Sequence, residues 1–160
     1  MATEIINENV PAAIQAGQRA ERRVFDALDR LPAPWQTFYT VEWRYLNHYG
    51  EVVGEADAVV FHPHWGVVVF EIKAGAVSVH GGQWYYAGGQ PMNQAPSEQA
   101  RRNRYALREK LTRRLKHDVE NLTVTHAVWF PDVIWQGPVP DADFPSPEFL
   151  LDRSALAELR

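Results

Sequence analysis

Three residues carry types and spacing suited to chemistry: Asp57 in "GEADAVVF", and Glu71 and Lys73 in "VVVFEIKAG". Two carboxylates brought together can hold a divalent cation such as Mg²⁺, which takes one or two carboxylates and keeps waters and room for phosphate oxygens. Such an ion lowers the pKa of a bound water and neutralises charge on a transferring phosphoryl group. A lysine within reach is a compact point cation that orients the water or stabilises that charge. The alternative is a cross-strand ion-pair cluster, with Lys73 neutralising Glu55 or Glu71 and Asp57 partly solvated. The residue types alone leave both open.

What must position these groups is a hairpin. "ADAVVF" and "GVVVFEI" flank the loop "HPHWG", and residues facing each other across a hairpin follow from the loop. With Phe61 facing Val67, Asp57 lies opposite Glu71 and Glu55 opposite Lys73. Alternation puts these four on one face and Ala56, Ala58, Val60, Val68, Phe70 and Ile72 on the other. Nearer the loop, Val59, Phe61, Val67 and Val69 make the charged face apolar as well. A hairpin apolar on both faces is covered on both sides, so the charges are confined to its open end. Facing carboxylates, with Cβ atoms about 5 Å apart, repel and need a compensating partner.

Two helices flank this hairpin in sequence. From Ala12 to Leu31 the residues Ile14, Gly17, Glu21, Val24, Leu28 and Leu31 recur at helical spacing and stop at "LPAPW". Glu21 falls inside that stripe, where a bare carboxylate is costly; a backbone donor or an arginine would satisfy it, or it faces the same charged pocket. A second helix is expected from Ser97 to His117, with Ser97 as N-cap and Leu107, Leu111 and Leu115 as its buried stripe. Gln99 lies at the edge of that stripe, one turn before Asn103.

The remaining pattern is "TFYTVEWRYL" as a strand, "NHYGEVVG" as a turn region, and short strands "AVSVH" and "QWYYA" joined by Gly81-Gly82 and closed by Gly88-Gly89. "LTVTHAVWF" is a further strand, stopped by Pro131-Asp132. After Phe130 the chain becomes proline-rich and ends in "DRSALAELR", which resembles the start of a helix. We expect one domain over 1–130, an extension over 131–160, and a further domain beyond. Helix, strands, helix, strand give an α/β class with a mixed sheet.

A hydrophobic content of 46% excludes general disorder, and the absence of cysteine excludes disulfides and thiolate metal sites. Any metal would be held by oxygen or imidazole ligands. With no apolar run of membrane-spanning length and no leader-like pattern in "MATEIINENV", a soluble, cytoplasmic protein is expected. The net charge of −4 hides an asymmetry. Ser97 to His117 holds eight bases against two acids, a net +6 that leaves −10 elsewhere. Arg101, Arg102, Arg104 and Arg108 in this stretch form a candidate polyanion surface; a solvated helix face is the plainer reading.

These residues in this order resemble a known family. "AGQRAERRVFDAL" with Glu21, "GEADAVVF" with Asp57, "VVVFEIKAG" with Glu71 and Lys73, the "GGQWYY" hairpin and "NQAPSEQARRNRYALREKL" with Gln99 look like the nuclease-related domain, NERD. That domain is similar to the PD-(D/E)XK nucleases, in the branch near the RecB-type nucleases and Holliday-junction resolvases. The resemblance runs from about Gly17 to Phe130. It implies a restriction-endonuclease-like mixed sheet flanked by helices and hydrolysis of nucleic-acid phosphodiester bonds, DNA foremost, with Mg²⁺ or Mn²⁺. Asp57 and Glu71 would be metal ligands with Glu21 supporting them, Lys73 would position or activate the attacking water, and Gln99 would orient a group near the scissile phosphate. The RecB-type pattern often has a tyrosine four residues after the glutamine; this chain has Asn103 there and Tyr105 two further on. Helicase, kinase or other DNA-processing domains often accompany such a module.

Other motifs carry less. His62 and His64 read as turn residues remote from Asp57, the paired glycines as turns rather than a phosphate loop, and Trp84, Tyr85 and Tyr86 as packing residues before base-stacking ones. The chemistry expected is that of a metal-dependent nuclease. The competing expectation is a catalytically weak nucleic-acid-binding or protein-docking module of the same fold.

Overall fold

The computed structural model describes residues 11–116, 120–140, 144 and 146–159. The segment 1–10, the expected helix end at His117 and Pro145 lie outside them. The described chain runs α1 (Ala12–Leu28), β1 (Gln36–Asn47), β2 (Gly50–His62), β3 (Gly66–Ile72), β4 (Ser78–His80), β5 (Gln83–Tyr85), α2 (Pro96–Leu115) and β6 (Val124–Trp129). It closes with a short 3₁₀ turn, β7 (Leu150–Leu151) and α3 (Ala155–Glu158). The expected α/β class holds, with a five-stranded mixed sheet ordered β1-β2-β3-β6-β7 and flanked by helices. The β1/β2 and β2/β3 pairs are antiparallel, while β3/β6 and β6/β7 are parallel. A parallel neighbour requires a long crossover, and the segment from Lys73 to Thr123, with the β4–β5 hairpin and α2, supplies it. This is the restriction-endonuclease-like core that the resemblance implied.

Each face of β2 and β3 is covered. On one side Val24, Ala27 and Leu28 of α1 pack on Ala58, Val60, Phe70 and Ile72, joined by Ala127 and Trp129 of β6. On the other Leu107 of α2 packs on Val59, Val67, Val69 and Val124. Trp84 of β5 is buried against Phe130, with ring centroids 5.5 Å apart. That hairpin is therefore core, as the packing reading held, although Tyr86 stays half exposed.

Several expectations are corrected. Helix α1 ends at Leu28, three residues early, and Ile14 is exposed. The N-cap of α2 is Ala95, because Pro96 takes the first helical position, where its missing N–H costs nothing; Ser97 is buried inside the first turn. Leu115 is exposed. "EVVG" is strand rather than turn, so β1 and β2 form a long arm that passes the end of β3. The proline-rich tail adds β7 to the sheet edge and Phe144 to the core around Trp84. Among the described residues no helix is long and apolar enough to cross a membrane.

Candidate functional site

The register of β2 on β3 is the expected one, with Phe61 opposite Val67, but the ladder stops at Ala58–Phe70. Asp57 and Glu71 are therefore the first residues past its end. There Asp57 does what a ladder carbonyl would have done: its Oδ2 accepts the Ile72 N–H at 2.7 Å.

The reason lies in β1. Its register on β2 is continuous from Gln36 to Asn47 except for one missing pair, Thr40–Asp57. Thr40 has φ +50°, an uncommon, costly conformation for a β-branched residue. Across that point the faces exchange. Tyr39 and Ala58 pack on the α1 side, whereas Val41 and Ala56 pack on the α2 side, although simple alternation gives each pair one face. The expected grouping of Ala56 with Ala58 is thus wrong, because the ribbon turns over at Asp57. Glu55 is correspondingly misplaced: it pairs with Glu42 of β1, not with Lys73.

Beyond the ladder, Glu71 is only 3% exposed. Its Oε1 accepts from Lys73 Nζ at 2.8 Å, and the same Nζ donates to Gln99 Oε1 at 3.1 Å. Helix α2 thus brings Gln99 onto the lysine, a contact that its place at the edge of the leucine stripe did not specify. Lys73 continues the β3 line by donating its backbone N–H to the Trp129 carbonyl at 3.0 Å. Even so, burial pushes the Glu71 carboxyl up to about 7, the nearby Asp57 charge pushes it the same way, and Lys73 only partly opposes them. Burial also raises Asp57, against the opposing Ile72 N–H and Lys73. Glu21, half-buried on α1, is raised by burial and by the charges of Asp57 and Glu55. The three carboxylates thus sense one another, and one lysine does not compensate them.

That surplus of negative charge is the feature a divalent cation would relieve. Among the described residues no group of three or more His, Asp and Glu side chains is arranged to hold a metal. Asp57 and Glu71 as a pair still fit an ion of the Mg²⁺ type, which is content with one or two carboxylates and waters. Glu21 stands near them electrostatically rather than as part of a closed ligand set.

The basic stretch is less available than its charge suggests. Arg108 donates to the Leu122 carbonyl at 3.4 Å and Lys110 to the Arg44 carbonyl at 2.9 Å. Arg113 pairs with Glu109 at 2.8 Å. The Arg104 guanidinium lies 4.5 Å from the Tyr105 ring centroid, Arg101 is half-buried and Arg102 is exposed.

One residue of the site escaped the sequence reading, which took Pro131-Asp132 only as a strand stop. Asp132 Oδ2 accepts the Gly75 N–H at 2.6 Å, and its Oδ1 pairs with Arg23. Gly75 is two residues after Lys73 and Arg23 two after Glu21. Burial pushes the Asp132 carboxyl up, but the Gly75 N–H and Arg23 overcome it and hold it below its ordinary value. The available signal was position: an acid three residues after β6, the strand beside the charged end of β3.

A mixed sheet with an Asp and a Glu-x-Lys at the open end of its central hairpin, and a helix glutamine on the lysine, defines a nuclease-like α/β domain. The model of the nuclease-related domain, NERD, matches residues 16–131, and the chain belongs to that family. No curated protein and no solved structure matches it.

Proposed function

We propose that this domain is a Mg²⁺- or Mn²⁺-dependent nuclease that hydrolyses phosphodiester bonds, DNA foremost. The observation carrying this reading is the placement of Lys73 Nζ between Glu71 Oε1 and Gln99 Oε1, with the Asp57 carboxylate anchored next to Ile72. A lysine ammonium has three donors. Two are engaged, so a third is left for a phosphate oxygen or a water. Asp57 and Glu71 would hold the cation, which would supply a water of lowered pKa and neutralise charge on the phosphate. Glu21 would add negative field from α1, and Gln99 would fix the lysine. Arg102, with Arg101 and Arg104, would meet backbone phosphates, giving salt-sensitive binding. A helicase or other DNA-processing domain as partner, in a cytoplasmic setting, completes the reading.

The test is cleavage of single-stranded, duplex and branched DNA with Mg²⁺ or Mn²⁺, beside Asp57→Ala and Lys73→Ala. Loss of cleavage in both variants is expected; equal activity in wild type and variants overturns the proposal.

A second reading, a catalytically weak binding or docking module, is favoured by the internal use of Arg108, Lys110 and Arg113. It predicts a Tm unchanged by millimolar Mg²⁺ or Mn²⁺ together with uncut DNA.

A further inference from the structure

The β1–β2 arm, continuing past the end of β3, leans on α2 and leaves a groove of about 580 Å³ between them. The wall is built. Asn103 Nδ2 donates to the Glu55 carbonyl at 3.0 Å, Lys110 holds the Arg44 carbonyl, and Tyr45 OH donates to Glu109 Oε2 at 2.9 Å. Gly54 is required in it, since a Cβ there would come within 2.5 Å of the Trp43 indole. Among its lining residues is Gln99, the same side chain that accepts from Lys73. The groove therefore meets the proposed reaction centre through Gln99.

Its lining is that of a base site rather than a phosphate track. Three amide-bearing residues, Gln94, Gln99 and Asn103, are among those lining it, with the half-exposed Tyr105; Gln99 Oε1 and Asn103 Nδ2 each already make one hydrogen bond. Arg104 braces that ring. Its acids are Glu55 and Glu109, which disfavour a polyanionic backbone; its one lining cation is Arg102. Amides offer paired donors and acceptors to base edges, and an aromatic ring stacks on any base. The volume is within the range of ligand pockets, about 300–1,000 Å³: room for an unpaired base, not for a duplex.

Resting on the nuclease reading, we infer that this groove receives an unpaired nucleobase next to the scissile phosphate. The substrate class is then nucleic acid with single-stranded character at the cut, and Tyr105 is the stacking residue. Bases inside a duplex cannot reach it without leaving the stack.

The test is binding, measured by fluorescence anisotropy of labelled oligonucleotides in EDTA, so that it does not depend on cleavage. The probes are a single strand, a blunt duplex, and single strands with one abasic residue at successive positions. Tyr105→Ala and Gln94→Ala are compared with wild type, with melting curves to confirm folding. For the wild type we expect single strand to bind more tightly than duplex. Tyr105→Ala should weaken single-strand binding about five- to hundred-fold, the scale of one base–aromatic stack, and leave duplex binding unchanged. One abasic position should cost the wild type a similar factor and cost Tyr105→Ala little. Equal loss on single strand and duplex, or no abasic penalty, overturns the inference. Cleavage of DNA without these binding effects removes the groove and keeps the nuclease; the binding effects without cleavage under Mg²⁺ or Mn²⁺ do the reverse.

Discussion

The two ends of the β2–β3 hairpin belong to the same pair of strands and treat their polar groups in opposite ways. At the loop end the ladder closes fully at His62–Gly66. His62 is buried, its Nδ1 accepts the His64 N–H at 3.1 Å, and its ring stacks on Trp65 at 4.2 Å beside Trp35 at 4.7 Å. At the open end the ladder stops short, Asp57 takes over an N–H, and carboxylates are buried with too little positive charge. One end is saturated and the other is held in electrostatic debt. Binding a cation or a phosphate is useful only where something is missing, so the proposed function belongs to the second.

The largest effect that separates the ends is catalytic. Lys73→Ala should lower cleavage on the order of 10²–10³-fold, the scale for one preorganised electrostatic group, while leaving the melting temperature close to wild type. A collapse of the fold instead would mean that Lys73 serves mainly to neutralise Glu71, which is the ion-pair reading.

Gly66→Ala should do the reverse. Gly66 has φ +90°, and a Cβ there would meet the Thr123 carbonyl oxygen at 2.1 Å. That close approach accompanies the Val67 N–H bond to the same oxygen at 2.8 Å. Backbone strain and overpacking together suggest a loss of about 2–4 kcal/mol, read by denaturant unfolding, with activity per folded molecule retained.

The third contrast is in pH. Glu71 rises from an ordinary value of 4.5 to about 7 on folding, so the folded state binds its proton more tightly. Its contribution to stability is full below pH 4.5 and is lost as pH rises through 7, on the order of 3 kcal/mol. Asp57 and Glu21 are raised in the same direction. Metal-free protein should therefore lose stability between pH 4.5 and 7, and Glu71→Gln should flatten that decline. Unfolding curves at a series of pH values in EDTA check it; a wild type that gains stability over this window contradicts the buried surplus of charge.

Much of this was legible in the sequence because it depends on short-range geometry. The loop "HPHWG" fixes the register, and with it the neighbourhood of Asp57, Glu71 and Lys73; helical spacing puts Gln99 at the edge of the buried stripe of α2, while its contact with Lys73 is seen only in the fold. What was not legible depends on departures from ideal periodicity. The missing Thr40–Asp57 pair turns the ribbon over, so alternation fails at Ala56 and Glu55. Pro96 displaces the cap from Ser97. Strand β7 is two residues long, too short for any periodic signal, and is set by pairing with β6. Arg108 and Lys110 read as surface charge because their carbonyl partners are distant in sequence.

Asp132 gives the smallest and most discriminating effect. Its two oxygens join the turn after Lys73 to the helix bearing Glu21, so it fixes the open end without touching the carboxylates there. Asp132→Asn keeps an acceptor for Gly75 but loses the charge facing Arg23. Asp132→Ala loses both. Each hydrogen bond contributes about 0.5–1.5 kcal/mol, so stability should fall modestly and in that order. If the clamp sets only stability, cleavage per folded molecule and Mn²⁺ affinity stay at wild-type values in both variants. If it sets the spacing of α1 against β3, Asp132→Ala weakens Mn²⁺ binding measured by calorimetry, and Asp132→Asn restores most of it. The loop end offers no such lever, because its rings and backbone groups already hold one another.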